Sequence, residues 1–223
     1  MARLSFDIIT IFPNLFSSYL SESLIARAQA KKLIKINVHK LRKSTSDVHR
    51  TVDDRPFGGG LGMVLKIEPI YKAIKAVKKS GAKVVLFTPR GKKFNQQIAY
   101  KLSKLNQIIM ICGRYEGVDE RVAKHLADME LSIGDYDLMG GELPAQVVME
   151  TIARLIPGVI GKPQLLKERI TKEKGFIEYP QYTRPEVFEP KKGIRWKVPK
   201  VLLSGHHKKI EEWRIKHAKN IGN

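Results

Sequence analysis

The sequence holds a single cysteine, Cys112, so no intrachain disulfide can form and no cysteine-ligated metal site can be assembled. A lone thiol of this kind reads as a small core residue in a reducing compartment. No apolar run approaches the length needed to span a bilayer. The opening MARLSFDIITIFPNLF has neither the long apolar stretch nor the small-residue cleavage site of a secretory signal, so a cytoplasmic protein with no membrane partner is expected. Internal repeats and low-complexity tracts are also missing, which excludes a solenoid.

Acidic residues are scarce. There are 22 of them against 41 Lys and Arg, a net charge of +19 on 223 residues. Such an excess calls for a polyanionic partner, because each phosphate neutralised releases counterions, and nucleic acid is the leading candidate. The charge is also uneven: residues 161–223 carry 16 basic and 7 acidic residues, so the net positive charge per residue of the tail is more than twice that of the rest.

With 43% hydrophobic residues the chain can bury one good core and a small appendage. Apolar runs rich in β-branched residues at 6–11, 84–87 and 108–112, with an alternating run at Ile34, Ile36 and Val38, predict strands. Helical stripes lie between them: Leu20, Leu24 and Ala28; Ile70, Ile74 and Val77 after Pro69; Phe94, Ile98 and Leu102. Alternation of strand and helix predicts an α/β domain with a largely parallel sheet. A further helix is expected over 143–155, stopped by Pro157 and Gly158. Residues 1–160 thus form one α/β domain. The stretch GKPQLLKERITKEKG, residues 161–175, is polar and aperiodic and reads as a flexible linker. Residues 176–223 read as a small basic helical domain with Ile210 and Trp213 facing its core.

Three glycine-bearing stretches carry the candidate chemistry. In HRTVDDRPFGGGLGM, residues 49–63, the polar approach to the glycines rules out a dinucleotide fingerprint, which needs a buried strand before it, and no Gly-Lys-Ser/Thr follows to make a phosphate-binding Walker loop. Its close-approaching backbone, flanked by His49, Arg50 and Arg55, suits phosphates or an extruded base, although the same residues would also serve as a mobile loop held by Asp–Arg pairs. The second, CGRYEGVDERV at 112–122, follows a predicted strand directly, where open parallel sheets place ligands; Gly113 and Gly117 allow a turn there. The third, LSIGDYDLMGGELP at 131–144, is broken by Gly134, Gly140 and Gly141 before Pro144 starts a helix. Its backbone could bond an adenine edge while Ile133, Tyr136 and Leu138 sandwich the ring.

These motifs, together with RLIPGV and YPQYTRPEVFE and in this order, closely resemble the bacterial tRNA (guanosine-37-N1)-methyltransferases, the TrmD type of the SPOUT superfamily, from residue 4 to about 217. The resemblance implies an α/β fold whose parallel sheet ends in a C-terminal trefoil knot, followed by a linker and a helical tRNA-binding domain. It implies a homodimer with active sites at the subunit interface, and S-adenosylmethionine as methyl donor. The cofactor would lie among Leu86, Thr88, Pro89 and Gly91, then Gly113 and Glu116, then Ile133, Gly134, Asp135, Tyr136, Asp137, Leu138, Gly140, Gly141 and Pro144. The tRNA and its target base would be held by His49, Arg50, Asp54, Arg55, Gly58, Gly59 and Gly60, with Arg154 near the reacting guanine. The resemblance leaves room for Mg2+, for which the sequence shows no ligand set.

Guanine N1 carries a proton at neutral pH, so methylation requires a general base, and a guanidinium beside O6 would stabilise the charge that develops. The family's usual base is a linker aspartate within a stretch resembling Glu-Asp-Ser-Phe. Counting back from YPQYTRPE, that position holds Ile170, which cannot accept a proton, and a one-residue slip gives Arg169. Glu168 is therefore the expected catalytic base, with Glu173, Asp54 and Glu116 as alternatives; a catalytically impaired tRNA-binding homologue is the remaining reading. Milder departures are Leu61 in place of a proline, Leu86 in place of an aromatic, and a C-terminal domain that ends early at Asn223.

Overall fold

The computed structural model describes residues 3–162 and 176–221. The chain divides into two compact units, Met1–Gln164 and Leu165–Asn223. Most of the expected linker, including Glu168, Arg169, Ile170 and Glu173, lies outside the described residues. No helix among the described residues is long and apolar enough to cross a membrane.

In the first unit, β1 (Leu4–Thr10) leads through short helix α1 (Ser17–Leu20) and α2 (Ser23–Ala30) to β2 (Ile34–Lys40). The small strands β3 (Asp53–Asp54) and β4 (Val64–Leu65) precede α3 (Ile67–Val77). Then come β5 (Lys83–Lys93), α4 (Gln96–Leu102), β6 (Gln107–Ile111), α5 (Glu120–His125), β7 (Met129–Ser132) and α6 (Glu142–Ala153). The sheet order is β2-β1-β6-β5-β7, with every pairing parallel. β6 inserts between two strands that precede it in sequence, with Ile8 opposite Met110 on one side and Val84 opposite Ile109 on the other.

The strands read as unbroken apolar runs because both sheet faces are buried. Leu4, Phe6, Ile8, Ile108 and Met110 pack with Ile25 of α2, Ile98 of α4, and Val148 and Ile152 of α6. Ile9, Val84, Leu86, Ile109 and Ile111 pack on the other face with Ile70 and Ile74 of α3 and Val122 of α5. Each large side chain removed from water in this way contributes about 1.5–3 kcal/mol.

Two local expectations are corrected. The stripe Leu20, Leu24 and Ala28 falls on two helices, because Ser23 takes a φ of +56° that no continuous helix allows. The strand expected at 84–87 is longer than its apolar run: residues 88–91 also belong to β5, which runs on to Lys93 with a shift of register between Phe87 and Lys92, both opposite Leu131. The extra residues make an excursion of the strand that its polar sequence disguised.

One carboxylate is buried in the sheet. Asp7 accepts hydrogen bonds from Gln107 Nε2 (2.8 Å), Asn37 Nδ2 (2.9 Å), Ser5 Oγ (3.1 Å) and the ring of His39 (2.8 Å). Burial pushes this group up, but its hydrogen bonds, led by Gln107 and His39, together hold it below the ordinary aspartate value. A depressed carboxylate contributes stability that is complete above the unfolded value near 4 and fades as pH falls through the folded one. We expect urea-unfolding free energies of Asp7→Asn to lie about 2 kcal/mol below the parent at pH 7, with the gap narrowing below pH ~4. A gap that is constant from pH 7 to pH 3 would show that the charge of Asp7 contributes nothing.

The second unit was expected to be helical, and it does contain α7 (Lys200–Leu203) and α8 (His207–His217). It also contains β8 (Phe176–Glu178) paired antiparallel with β11 (Lys219–Ile221), and β9 (Val187–Lys191) paired antiparallel with β10 (Ile194–Lys197). Trp213 is half-buried, stacked on His217 at 4.2 Å and edge-on to Tyr182 at 6.2 Å.

Candidate active site

Three segments converge at the carboxyl ends of β5, β6 and β7, where an open parallel sheet leaves a crevice. They enclose a cavity of about 430 Å³. Its walls include Leu86, Thr88 and Pro89 from β5, Gly113 and Glu116 after β6, and Ile133, Gly134, Tyr136, Asp137, Leu138, Gly140, Gly141 and Pro144 between β7 and α6. The structure therefore gathers thirteen of the residues expected at a cofactor around one space.

Gly91 and Asp135 do not line it. Gly91 sits where β5 presses on β7: a Cβ there would lie 2.6 Å from the Leu131 nitrogen and 2.7 Å from the Glu130 carbonyl carbon, so only glycine permits the strands to meet. Its part is to hold the wall together. Asp135 turns outward to an exposed pair with Lys93 at 2.5 Å. Residues not foreseen as lining include Phe87, Arg90, Arg114, Tyr115 and Met139. For Arg114 a signal was available, since it follows Gly113 within a segment already singled out.

Arg114 organises the crevice. Its Nε donates to Glu142 Oε2 at 2.8 Å, its Nη1 donates to the Met139 carbonyl at 3.2 Å, and its guanidinium lies 4.9 Å over the Phe12 ring. Glu142, with a side chain only 2% exposed, also accepts from Thr10 Oγ1 at 2.6 Å. The carboxylate stands in the first turn of α6, where the helix dipole favours negative charge. Gly141 N donates to the Gly113 carbonyl at 3.0 Å, which fastens the third segment onto the second. Cys112, at the end of β6, is buried beneath them, as expected of a small core residue.

The glycine hairpin docks beside the cavity. Leu65 N donates to Gly117 O at 3.0 Å, Asp119 N donates to Leu65 O at 2.9 Å, and Glu116 N donates to Met63 O at 3.0 Å. Gly62, at φ +85°, lies against the Glu116 side chain, where a Cβ would come within 2.6 Å. Glu116 is thus shared between the cavity and the foot of the hairpin. Beyond that foot Asp54, Arg55, Gly58, Gly59 and Gly60 are exposed, with Asp54 Oδ1 accepting from Arg55 N. His49 and Arg50 are exposed on the preceding turn, where the Arg50 carbonyl accepts from Arg42.

The structure does not bring Arg154 to the cavity. It caps the C-terminal end of α6, ten residues beyond Pro144, about 15 Å along the helix axis. There it neighbours Tyr100, whose hydroxyl is pushed up by burial and drawn part of the way back by the Arg154 charge. Sequence supplies residue identity but not this separation. Among the described residues no group of three His, Cys, Asp or Glu side chains gathers to hold a metal ion.

The model of one family, tRNA (guanine-1)-methyltransferase TrmD, matches residues 4–222. A curated tRNA (guanine-N(1)-)-methyltransferase of Dictyoglomus turgidum is 53% identical over 215 residues, covering 96% of this chain and 85% of that protein. The proteins of the same name from Chloroflexus aggregans and Carboxydothermus hydrogenoformans are 50% and 47% identical over 212 residues, covering 94% and 95% of this chain and 80% and 81% of theirs.

Proposed function

Because the chain belongs to the tRNA (guanine-1)-methyltransferase TrmD family, we propose that it transfers a methyl group from S-adenosylmethionine to N1 of guanosine 37 in tRNA, beside the anticodon. The observation that carries this reading is the cavity at the carboxyl edge of the sheet, closed by three glycine-bearing segments and flanked by a glycine hairpin. Its volume falls within the roughly 300–1,000 Å³ typical of small-molecule sites. Leu86, Ile133 and Leu138 offer apolar contact to a flat adenine, and Glu116 supplies a negative charge suited to a cationic ligand. When bound, the donor supplies an electrophilic methyl on a sulfonium. Noncatalytic RNA binding is not favoured, since the relatives bear the name of an enzyme.

In this reading His49, Arg50, Asp54, Arg55, Gly58, Gly59 and Gly60 hold the tRNA and its target base, and Glu168 removes the N1 proton. Residues 161–175 serve as the linker that carries Glu168, and residues 176–223 as the tRNA-binding domain. In the same reading the C-terminal part of the first unit is threaded into a trefoil knot, with the third segment fastened to the second through Gly141 N and the Gly113 carbonyl. A homodimer is supported by the exposed Phe12 and Leu15 together with Leu143 and Val147 of α6, an apolar patch that a second copy would cover. The position of Arg154, at the far end of α6 from the cavity, also fits a homodimer in which the partner subunit supplies this residue. With tRNA as substrate, the work is cytoplasmic.

Purified protein, labelled cofactor and a transcript with guanosine 37 should give N1-methylguanosine, and a transcript with adenosine at that position should give none. Absence of product from the guanosine transcript would end the proposal. Glu168→Gln should slow the methyl-transfer step by roughly 100-fold or more at unchanged tRNA affinity. Wild-type turnover in that variant would remove Glu168 from the mechanism and leave Glu173, Asp54 and Glu116 as the carboxylates to test.

A further inference from the structure

The second unit carries an aromatic, cationic ribbon that its own core does not use. Among the described residues β9 and β10 form a sheet of two strands. Phe188 and Trp196 stand directly opposite each other, their rings 5.7 Å apart and tilted by 44°, and they are 51% and 62% exposed. Trp213, by contrast, is engaged with Tyr182 and His217. Lys191, Lys192, Arg195 and Lys197 lie on the same two strands and the turn between them, all exposed. The one carboxylate of the ribbon, Glu189, is occupied in accepting from Gly193 N at 2.9 Å across the turn.

Water is a poor partner for two opposed aromatic rings on an isolated ribbon, so an occupant is called for. The cations carried by the same ribbon decide its chemistry. Lysine is depleted at the centre of protein–protein contacts, whereas flat rings flanked by cations are how single-stranded nucleic acid is held, a base stacked on the ring and its phosphates beside the charges. We propose that the β9–β10 ribbon is an RNA platform, on which an unpaired nucleobase of the tRNA stacks against Trp196 and Phe188 while Lys191, Lys192, Arg195 and Lys197 hold the adjoining phosphates. The proposal rests on tRNA as the substrate and adds a recognition surface outside the cavity and its hairpin.

The test uses the full chain and an unmodified tRNA transcript with guanosine 37. Titration should quench tryptophan fluorescence in the parent, and the quench should be lost in Trp196→Ala while Trp213 still reports a folded unit. Phe188→Ala/Trp196→Ala should weaken tRNA binding roughly 10- to 100-fold, with the salt slope unchanged. Trp196→Tyr should restore most of that affinity. Lys191→Ala/Lys192→Ala should instead lower the slope of log K against log salt by between about one and two. Wild-type affinity in the aromatic double variant overturns the platform. So does a change in its sedimentation mass without a change in RNA affinity, which would make the ribbon a contact between copies. A chain that methylates normally while the double variant binds tRNA like the parent sinks the ribbon alone. A chain whose Trp196 is quenched by tRNA but which makes no N1-methylguanosine sinks the methyl-transfer reading alone.

Discussion

Arg154→Ala is expected to lower turnover by roughly 100- to 1,000-fold if Arg154 serves as proposed, the usual cost of losing one fixed donor to a developing oxyanion. Affinity for tRNA stays within a few-fold, because one guanidinium among 41 basic residues adds little to a polyelectrolyte contact. In the proposed reaction the loss should fall on the chemical step, since charge moves to guanine O6 as N1 attacks and only then would the guanidinium be fully used. Single-turnover methylation with saturating tRNA measures it. Placement at the far end of α6 from the cavity adds a sharper expectation. If the proposed homodimer shares its sites, mixing Arg154→Ala with a variant whose cavity is blocked should revive activity, since one site of each mixed dimer would combine a sound cavity with the partner subunit's Arg154. Random exchange would give about a quarter of the parental rate. No revival would mean that Arg154 acts within its own subunit or does not act at all.

Arg114→Ala destabilises the first unit by about 3–5 kcal/mol, the cost of stranding a buried charge. Glu142 would keep only the Thr10 hydroxyl, and its side chain is almost fully enclosed. Differential scanning calorimetry should show a fall in Tm of roughly 6–20 °C. Arg114→Ala/Glu142→Gln should recover much of that loss, because the second change removes the stranded charge. If the double variant were as unstable as the sum of its parts, the ion pair would not be what holds the segments together. Cofactor affinity should fall in both variants, since the Met139 carbonyl loses its donor and the 133–141 segment loses its anchor.

The sheet was legible because its strands are buried on both sides: runs such as those at 84–87 and 108–112 contain no polar residue to obscure them. The cavity was legible for a related reason, as glycines directly after such strands mark where the backbone turns at the edge of a parallel sheet. β7 escaped notice because it is four residues long, has a glutamate within it, and runs straight into a glycine segment. β9 escaped because Pro190 and two adjacent lysines give it no alternation. The outward turn of Asp135 and the remoteness of Arg154 are matters of distance, which depends on where Lys93 and the end of α6 come to rest. Motif spacing carries no such information.

The place of β6 in the sheet also shapes how the chain must be made. Its neighbours β1 and β5 are both synthesised before it, and β1 emerges about a hundred residues earlier. At roughly 5–20 residues per second, β1 waits on the order of 5–20 s after leaving the ribosome with one hydrogen-bonding edge unsatisfied. During that interval the nascent chain exposes a sticky apolar ribbon, and its protection then falls to the ribosome surface and to chaperones.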